Sequence, residues 1–319
     1  MRPPDSPGRR RHGRRCRVVG VLTVVGLLST TAGALAAPEA PRSASIDRAA
    51  SATAQAVAGS AEQLGPLTSG PVLDDTTLAG CDADVLQRLV ASDPAVGQWI
   101  MVVVPSISAT SGTLAIATTR AGRWTCSLEH TVAQVGRQGI RPLAQRRSGD
   151  DTTPSGIFAL GVVATPQGPI SFFGNSADPG ALGPYRQVRT GDCYGANPNT
   201  AGYGHWRVDT VGCTGDDELL ATNAQAYEHA VLIGANTEPN VSGDAPGEIP
   251  YAAAIFLHRT TYTNARPAVP KPTSGCVSIP HDQLVAALQS IDPAMSPRFA
   301  IGTRADLLAT TARPSLPIR

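Results

Sequence analysis

Several things are scarce or missing in this 319-residue chain, and each absence excludes something. Aromatic residues make up only 4% and charged residues 16%. No internal repeat is present, which argues against a solenoid or propeller. No P-loop is present, so nothing cradles a nucleotide phosphate. No Cys/His/Asp/Glu set has metal-ligand spacing, and neither a metal nor another cofactor is expected. No basic stripe runs through the chain, so no nucleic-acid partner is expected. A hydrophobic content of 42% still suits a globular domain. The 32 glycines and 27 prolines point to many turns and short elements.

The one long apolar run lies at the start. Arg9, Arg10, Arg11, Arg14, Arg15 and Arg17 form a basic block, Val18 to Leu28 is apolar, and Ala34-Leu35-Ala36 offers a cleavage site. That three-part order predicts a secretory signal over residues 1–36 and a secreted product at the extracellular face or cell wall. A membrane contact follows only if the signal stays uncleaved as an anchor. Removing it leaves 19 basic and 24 acidic residues, a mildly acidic mature protein. Residues 37–79, rich in Ala, Ser, Pro and Gly, read as a disordered tether. The folded domain is expected over 80–303 and a flexible tail over 304–319.

Five cysteines follow the signal: Cys81, Cys126, Cys193, Cys213 and Cys276. Export favours pairing, and an odd number leaves one thiol over. The sequence leaves the pairing open. The favoured arrangement joins Cys193 to Cys213 across a Gly/Asn/Pro-rich loop and Cys81 to Cys126 between an early helix and a strand. Cys276 then stays free.

Asp82 caps a predicted helix over Ala83 to Ala91. Strand-like runs follow at Trp99–Val104, Thr113–Thr119, Trp124–Leu128 and Thr131–Val135, the pattern of an antiparallel meander. A turn at Asp150–Gly156 leads into a strand over Ile157–Val163. Asp216–Asn223 reads as a short helix and Tyr227–Ile233 as a strand. The apolar run Ala252–Leu257 predicts a buried central strand ending at His258. A short strand over Gly275–Ile279 precedes a helix over His281–Ile291, and Arg298–Gly302 makes the last strand. The fold class is mainly β, a sandwich or mixed sheet with a few short helices, stapled by disulfides.

Cys276 follows His258 by eighteen residues. A thiol becomes a nucleophile when an imidazole takes its proton and a third group fixes the imidazole tautomer. The proline-bearing segment Arg259–Thr273 has the length to bring the two strand ends side by side. Gly275 permits close backbone approach, and N–H groups at Gly275 and Cys276 are oxyanion candidates. No carboxylate suggests itself as the third group, which leaves a backbone carbonyl, that of Arg259.

His258 followed by Thr273-Ser274-Gly275-Cys276-Val277 resembles the motif of the L,D-transpeptidase catalytic domain (YkuD-like) family, a histidine and then Ser/Thr-His-Gly-Cys. Thr153-Pro154-Ser155-Gly156-Ile157-Phe158 matches the family's T-P-x-G-x-F segment, and Ile255-Phe256-Leu257-His258 matches its strand leading to the histidine. Ser274 replaces the second histidine, as in a secreted subgroup, and Ser278 stands where Asn or Arg is common. The resemblance implies a β-rich L,D-transpeptidase-like fold and peptidoglycan stem peptides as partners. It implies that Cys276 attacks a tetrapeptide stem through a thioester, giving 3→3 cross-links or releasing the terminal D-Ala. It also implies that a carbapenem acylates Cys276. Thr273, Ser274 and Tyr185 are candidates for a substrate loop. No separate wall-binding module is visible, and a non-catalytic peptidoglycan-binding pseudoenzyme of the same fold is the alternative.

Overall fold

A computed structural model describes residues 78–208, 213–215 and 217–311. The signal and almost all of the tether lie outside the described residues. Leu78 is already buried beneath the first helix, so the packed domain takes in the end of the expected tether. Among the described residues, no helix is long and apolar enough to cross a membrane.

The chain opens with α1 (Ala83–Ser92), whose Asp82 cap accepts from Val85 N at 3.1 Å. The meander follows: β1 (Gln98–Val104), β2 (Ser111–Arg120) and β3 (Arg123–Gln134). Next come β4 (Ile140–Pro142), β5 (Thr153–Ala159), β6 (Phe172–Gly174) and β7 (Tyr185–Gln187). Very short strands follow: β8 (Cys193–Tyr194), β9 (Trp206–Arg207), β10 (Glu218–Leu219) and β11 (Ala230–Leu232). The chain ends with β12 (Phe256–Arg259), β13 (Val277–Ile279), α2 (His281–Ser290), β14 (Arg298–Thr303) and α3 (Arg304–Leu308).

Eleven strands form one mixed sheet in the order β4-β5-β14-β1-β2-β3-β13-β12-β11-β6-β7. A separate three-stranded sheet has the order β10-β8-β9. β1 is buried on both faces. Ile100, Val102 and Val104 join the main core beneath α2, while Trp99 and Met101 pack with α1 and α3. A third cluster gathers Phe173, Tyr194, Trp206, Tyr227 and Phe256, and Cys276 packs against it.

The mainly β class and both disulfides, Cys81–Cys126 and Cys193–Cys213, are present, and Cys276 is free. Several boundaries differ from the sequence reading, each for a physical reason. Residues 123–134 form one strand rather than two, because Glu129 and His130 bulge out where Leu114 pairs with Thr131 and Ile116 with Leu128. Asp217–Asn223 is not helical: Glu218 and Leu219 pair with Tyr194 and Cys193, and turns follow. β12 begins only at Phe256, because Ala254 adopts φ 56° and interrupts the apolar run. α3 occupies the start of the expected tail, held by a reciprocal cap between Thr303 and Asp306.

Candidate active site

β12 and β13 lie side by side and parallel, with Leu257 opposite Val277, His258 opposite Ser278 and Arg259 opposite Ile279. Side chains two residues apart share a sheet face. Phe256 and His258 therefore face the same way as Ser278 and as Cys276, the residue before β13. Tyr227 covers this face, edge-on to Phe256 at 5.7 Å and to His258 at 5.6 Å.

The backbone fixes His258. Its Nδ1 lies 2.8 Å from the Arg259 carbonyl oxygen. A carbonyl only accepts, so Nδ1 carries the proton and a neutral ring keeps its lone pair on Nε2. The Arg259 N–H donates to Ala226 O, and its guanidinium pairs with Glu228. Arg259 thus acts through its carbonyl, and its own N–H is not available to an oxyanion.

The loop before Cys276 is held by hydroxyls. Thr273 Oγ1 accepts from Gly275 N at 3.1 Å and donates to Cys276 O at 2.6 Å. Thr153, the threonine of the T-P-x-G-x-F segment, donates to the same Cys276 oxygen at 3.1 Å and accepts from Gly136 N. Gly275 sits at φ 146°, and a Cβ there would lie 2.5 Å from Arg146 Nη2 and 3.1 Å from Thr152 O. Only glycine fits.

A polar cavity of about 280 Å³ opens over the thiol. Cys276, Gly275, Ser274, Arg146, Glu218 and Ala254 are among its lining residues. The thiol accepts from Phe256 N and donates to Ala254 O, both at 3.4 Å. The left-handed turn at Ala254 accompanies that carbonyl contact, a strained backbone at the site. Burial raises the Cys276 pKa to about 12; the Glu218 charge adds to this, while the Phe256 N–H and Arg146 oppose it. Burial lowers His258 to about 4, against the smaller upward pull of the Arg259 carbonyl. The free site therefore rests as neutral thiol and neutral imidazole.

Arg146 and Glu218 escaped the sequence reading. Arg146 is 3% exposed, lies 2.9 Å from Asp150 with its Nη1, donates through Nε to Thr152 O, and reaches Ser274 O at 3.4 Å. Its only sequence signal is its position seven residues before Thr153, just ahead of the turn at Asp150–Gly156. Glu218 accepts from the Tyr227 hydroxyl at 2.8 Å, and burial raises its pKa.

The other predicted residues divide. Ser274 lines the cavity and accepts from Arg137 at 2.5 Å. Thr273 serves the loop. Tyr185 lies away from the thiol cavity, on β7: its hydroxyl donates to Ser176 O and meets His229 Nδ1, each at 3.0 Å. Cys193–Cys213 anchors β8, the strand that pairs with Glu218. Cys81–Cys126 ties the start of α1 to β3. No group of three or more metal-ligating side chains occurs among the described residues.

Fold and site define a class: a mainly β domain with a backbone-oriented histidine on one of two adjacent parallel strands and a free cysteine just before the other, the thiol lining a polar cavity. Residues 111–298 match the family model of the L,D-transpeptidase catalytic domain, YkuD, and the chain belongs to that family. No curated protein and no solved structure gives a significant match. The family match runs from the start of β2 to the start of β14. α1, β1 and α3, which the same packed domain includes, lie outside it.

Proposed function

We propose that this chain is a secreted L,D-transpeptidase that uses Cys276 as nucleophile and His258 as base on peptidoglycan stem peptides. One observation carries the reading. The parallel register of β12 and β13 gives a free thiol and an imidazole of fixed tautomer the same face, with the thiol lining a cavity. Family membership supplies the substrate class, peptidoglycan peptides.

The chemistry follows from the neutral resting pair. With the stem bound, the Cys276 proton passes to His258 Nε2 as sulfur attacks the carbonyl between the third residue and the terminal D-Ala. The Cys276 N–H stabilises the developing oxyanion, since Gly275 N–H is committed to Thr273. The C–N bond breaks, D-Ala leaves with the proton from His258, and a thioester remains. An amine of a second stem then attacks the thioester and gives a proton to His258; the C–S bond breaks, the Cys276 sulfur leaves with that proton, and the 3→3 link is formed. Water in its place gives L,D-carboxypeptidase products. A carbapenem would open on the same thiol and leave Cys276 acylated.

Mass spectrometry of a tetrapeptide disaccharide incubated with the mature domain, beside Cys276→Ala, tests this. Loss of D-Ala or a new dimer, absent from the variant, is the expected result. An unchanged substrate, with Cys276 still open to alkylation, would point to the peptidoglycan-binding pseudoenzyme instead.

A further inference from the structure

The cavity over Cys276 carries charges of both signs, and one of them works against the chemistry. Arg146 favours a thiolate, whereas Glu218 opposes it. A nucleophile that must become an anion gains nothing from a neighbouring carboxylate. Arg146 does not cancel Glu218, because its guanidinium is taken up by Asp150, Thr152 O and Ser274 O. Asp151, the other acid on the cavity wall, lies 3.4 Å from Arg137. Among the described residues that line the cavity, Glu218 is the acid without an ion pair.

Its placement is built into the fold. β10 holds it opposite Tyr194, on the sheet that Cys193–Cys213 staples. Oε2 accepts from Tyr227, while Oε1 has no hydrogen-bond partner among the described residues. A half-buried carboxylate with one oxygen held by Tyr227 and the other left open on a cavity-lining residue fits a cationic ligand group, which would complete its hydrogen bonding and remove its repulsion of the thiolate.

Resting on the transpeptidase reading, we propose that Glu218 binds an ammonium group of the substrate next to the bond that Cys276 attacks. It is then a specificity-determining residue, and cation binding favours ionisation of the thiol. The ammonium has two possible sources: the third-residue side chain of the donor stem, or the amine of the acceptor stem.

Glu218→Gln separates these, because the amide oxygen still accepts from Tyr227 while the charge is lost. The probes are a stem tetrapeptide with its third-residue amine free and the same peptide with that amine acetylated. If the donor supplies the ammonium, the free-amine peptide protects wild-type Cys276 from iodoacetamide at about tenfold lower concentration than the acetylated one. That gap closes in Glu218→Gln, and acyl-enzyme formation slows only with the free-amine peptide. If the acceptor supplies it, acylation is unchanged and transfer to a second stem peptide slows by a similar factor. Either result supports the proposal. Equal protection, acylation and transfer in both proteins would overturn it. An equal loss with both peptides would overturn it too, leaving Glu218 as a support for Tyr227. Charge-dependent protection without any acyl-enzyme in the wild type would instead count against the transpeptidase reading.

Discussion

The two disulfide-stapled regions are built differently. Around Cys81–Cys126, strands of 7, 10 and 12 residues pair in a continuous meander beneath α1, with Trp99 fully buried. Around Cys193–Cys213, β8, β9 and β10 have two residues each, and turns make up most of the rest. The first region gains its stability from ladders and apolar burial and supplies no residue that lines the thiol cavity. The second contributes little regular structure but supplies Glu218 to the cavity and Tyr227 to the catalytic face. Stability and chemistry are thus divided, and variants in the two regions should fail in different ways.

The largest effect falls on the chemistry alone. His258→Gln should cut turnover of a tetrapeptide about a thousandfold, the scale of a lost general base, with the melting temperature at neutral pH little changed. A loss of folding instead would make His258 a core histidine. Trp99→Ala should do the reverse and cost about 3–5 kcal/mol in denaturant unfolding, while turnover per folded molecule is kept.

The disulfides sharpen the contrast. Cys81→Ser/Cys126→Ser opens a loop with a sequence separation of 45, worth about 4 kcal/mol in the chain-entropy account, without loss of turnover in the folded fraction. Cys193→Ser/Cys213→Ser opens a separation of 20, worth about 3 kcal/mol, and should also lower turnover because Glu218 is released. Equal turnover in both folded double variants would break the proposed division.

The smallest effect concerns pH. His258 falls from 6.5 to about 4 on folding, so the unfolded chain binds the proton first as pH drops. Stability should be intact above pH 6.5 and fall by about 3 kcal/mol toward pH 4. His229 is lowered by burial as well and adds in the same direction. His258→Gln should remove its own share of this dependence and leave the share of His229.

Much of this was legible in the sequence, and the parts that were not share a cause. α1, β1, β2, α2 and β14 carry apolar periodicities that local packing enforces, and their bounds fall within a few residues of the expected ones. The side-by-side ends of the strands bearing His258 and leading from Cys276, and the Arg259 carbonyl contact, were readable because motif, spacing and hydrogen-bond logic are all local. Arg146 and Glu218 were not, since each reaches the cavity through distant contacts: Arg146 through Ser274, Glu218 through Tyr194 and Tyr227. Asp216–Asn223 looked helical because no local signal announces a two-residue pairing with β8. The early end placed on the apolar run before His258 failed at Ala254, an alanine in a conformation that sequence assigns to glycine or asparagine. Tyr185 does not line the thiol cavity, and this too was unreadable for the reason that Glu218 was missed: its surroundings are set by β6 and by His229, far along the chain.

The account's central claim is that Cys276 forms a covalent acyl intermediate on a stem peptide. Intact-protein mass spectrometry of the mature domain, quenched in acid during turnover of a tetrapeptide, addresses it directly. The account predicts an adduct equal to the tripeptide-bearing acyl group, mapped to Cys276, absent in Cys276→Ala and slower to appear in His258→Gln. D-Ala release without any adduct on Cys276, or an adduct that survives in Cys276→Ala, would contradict it.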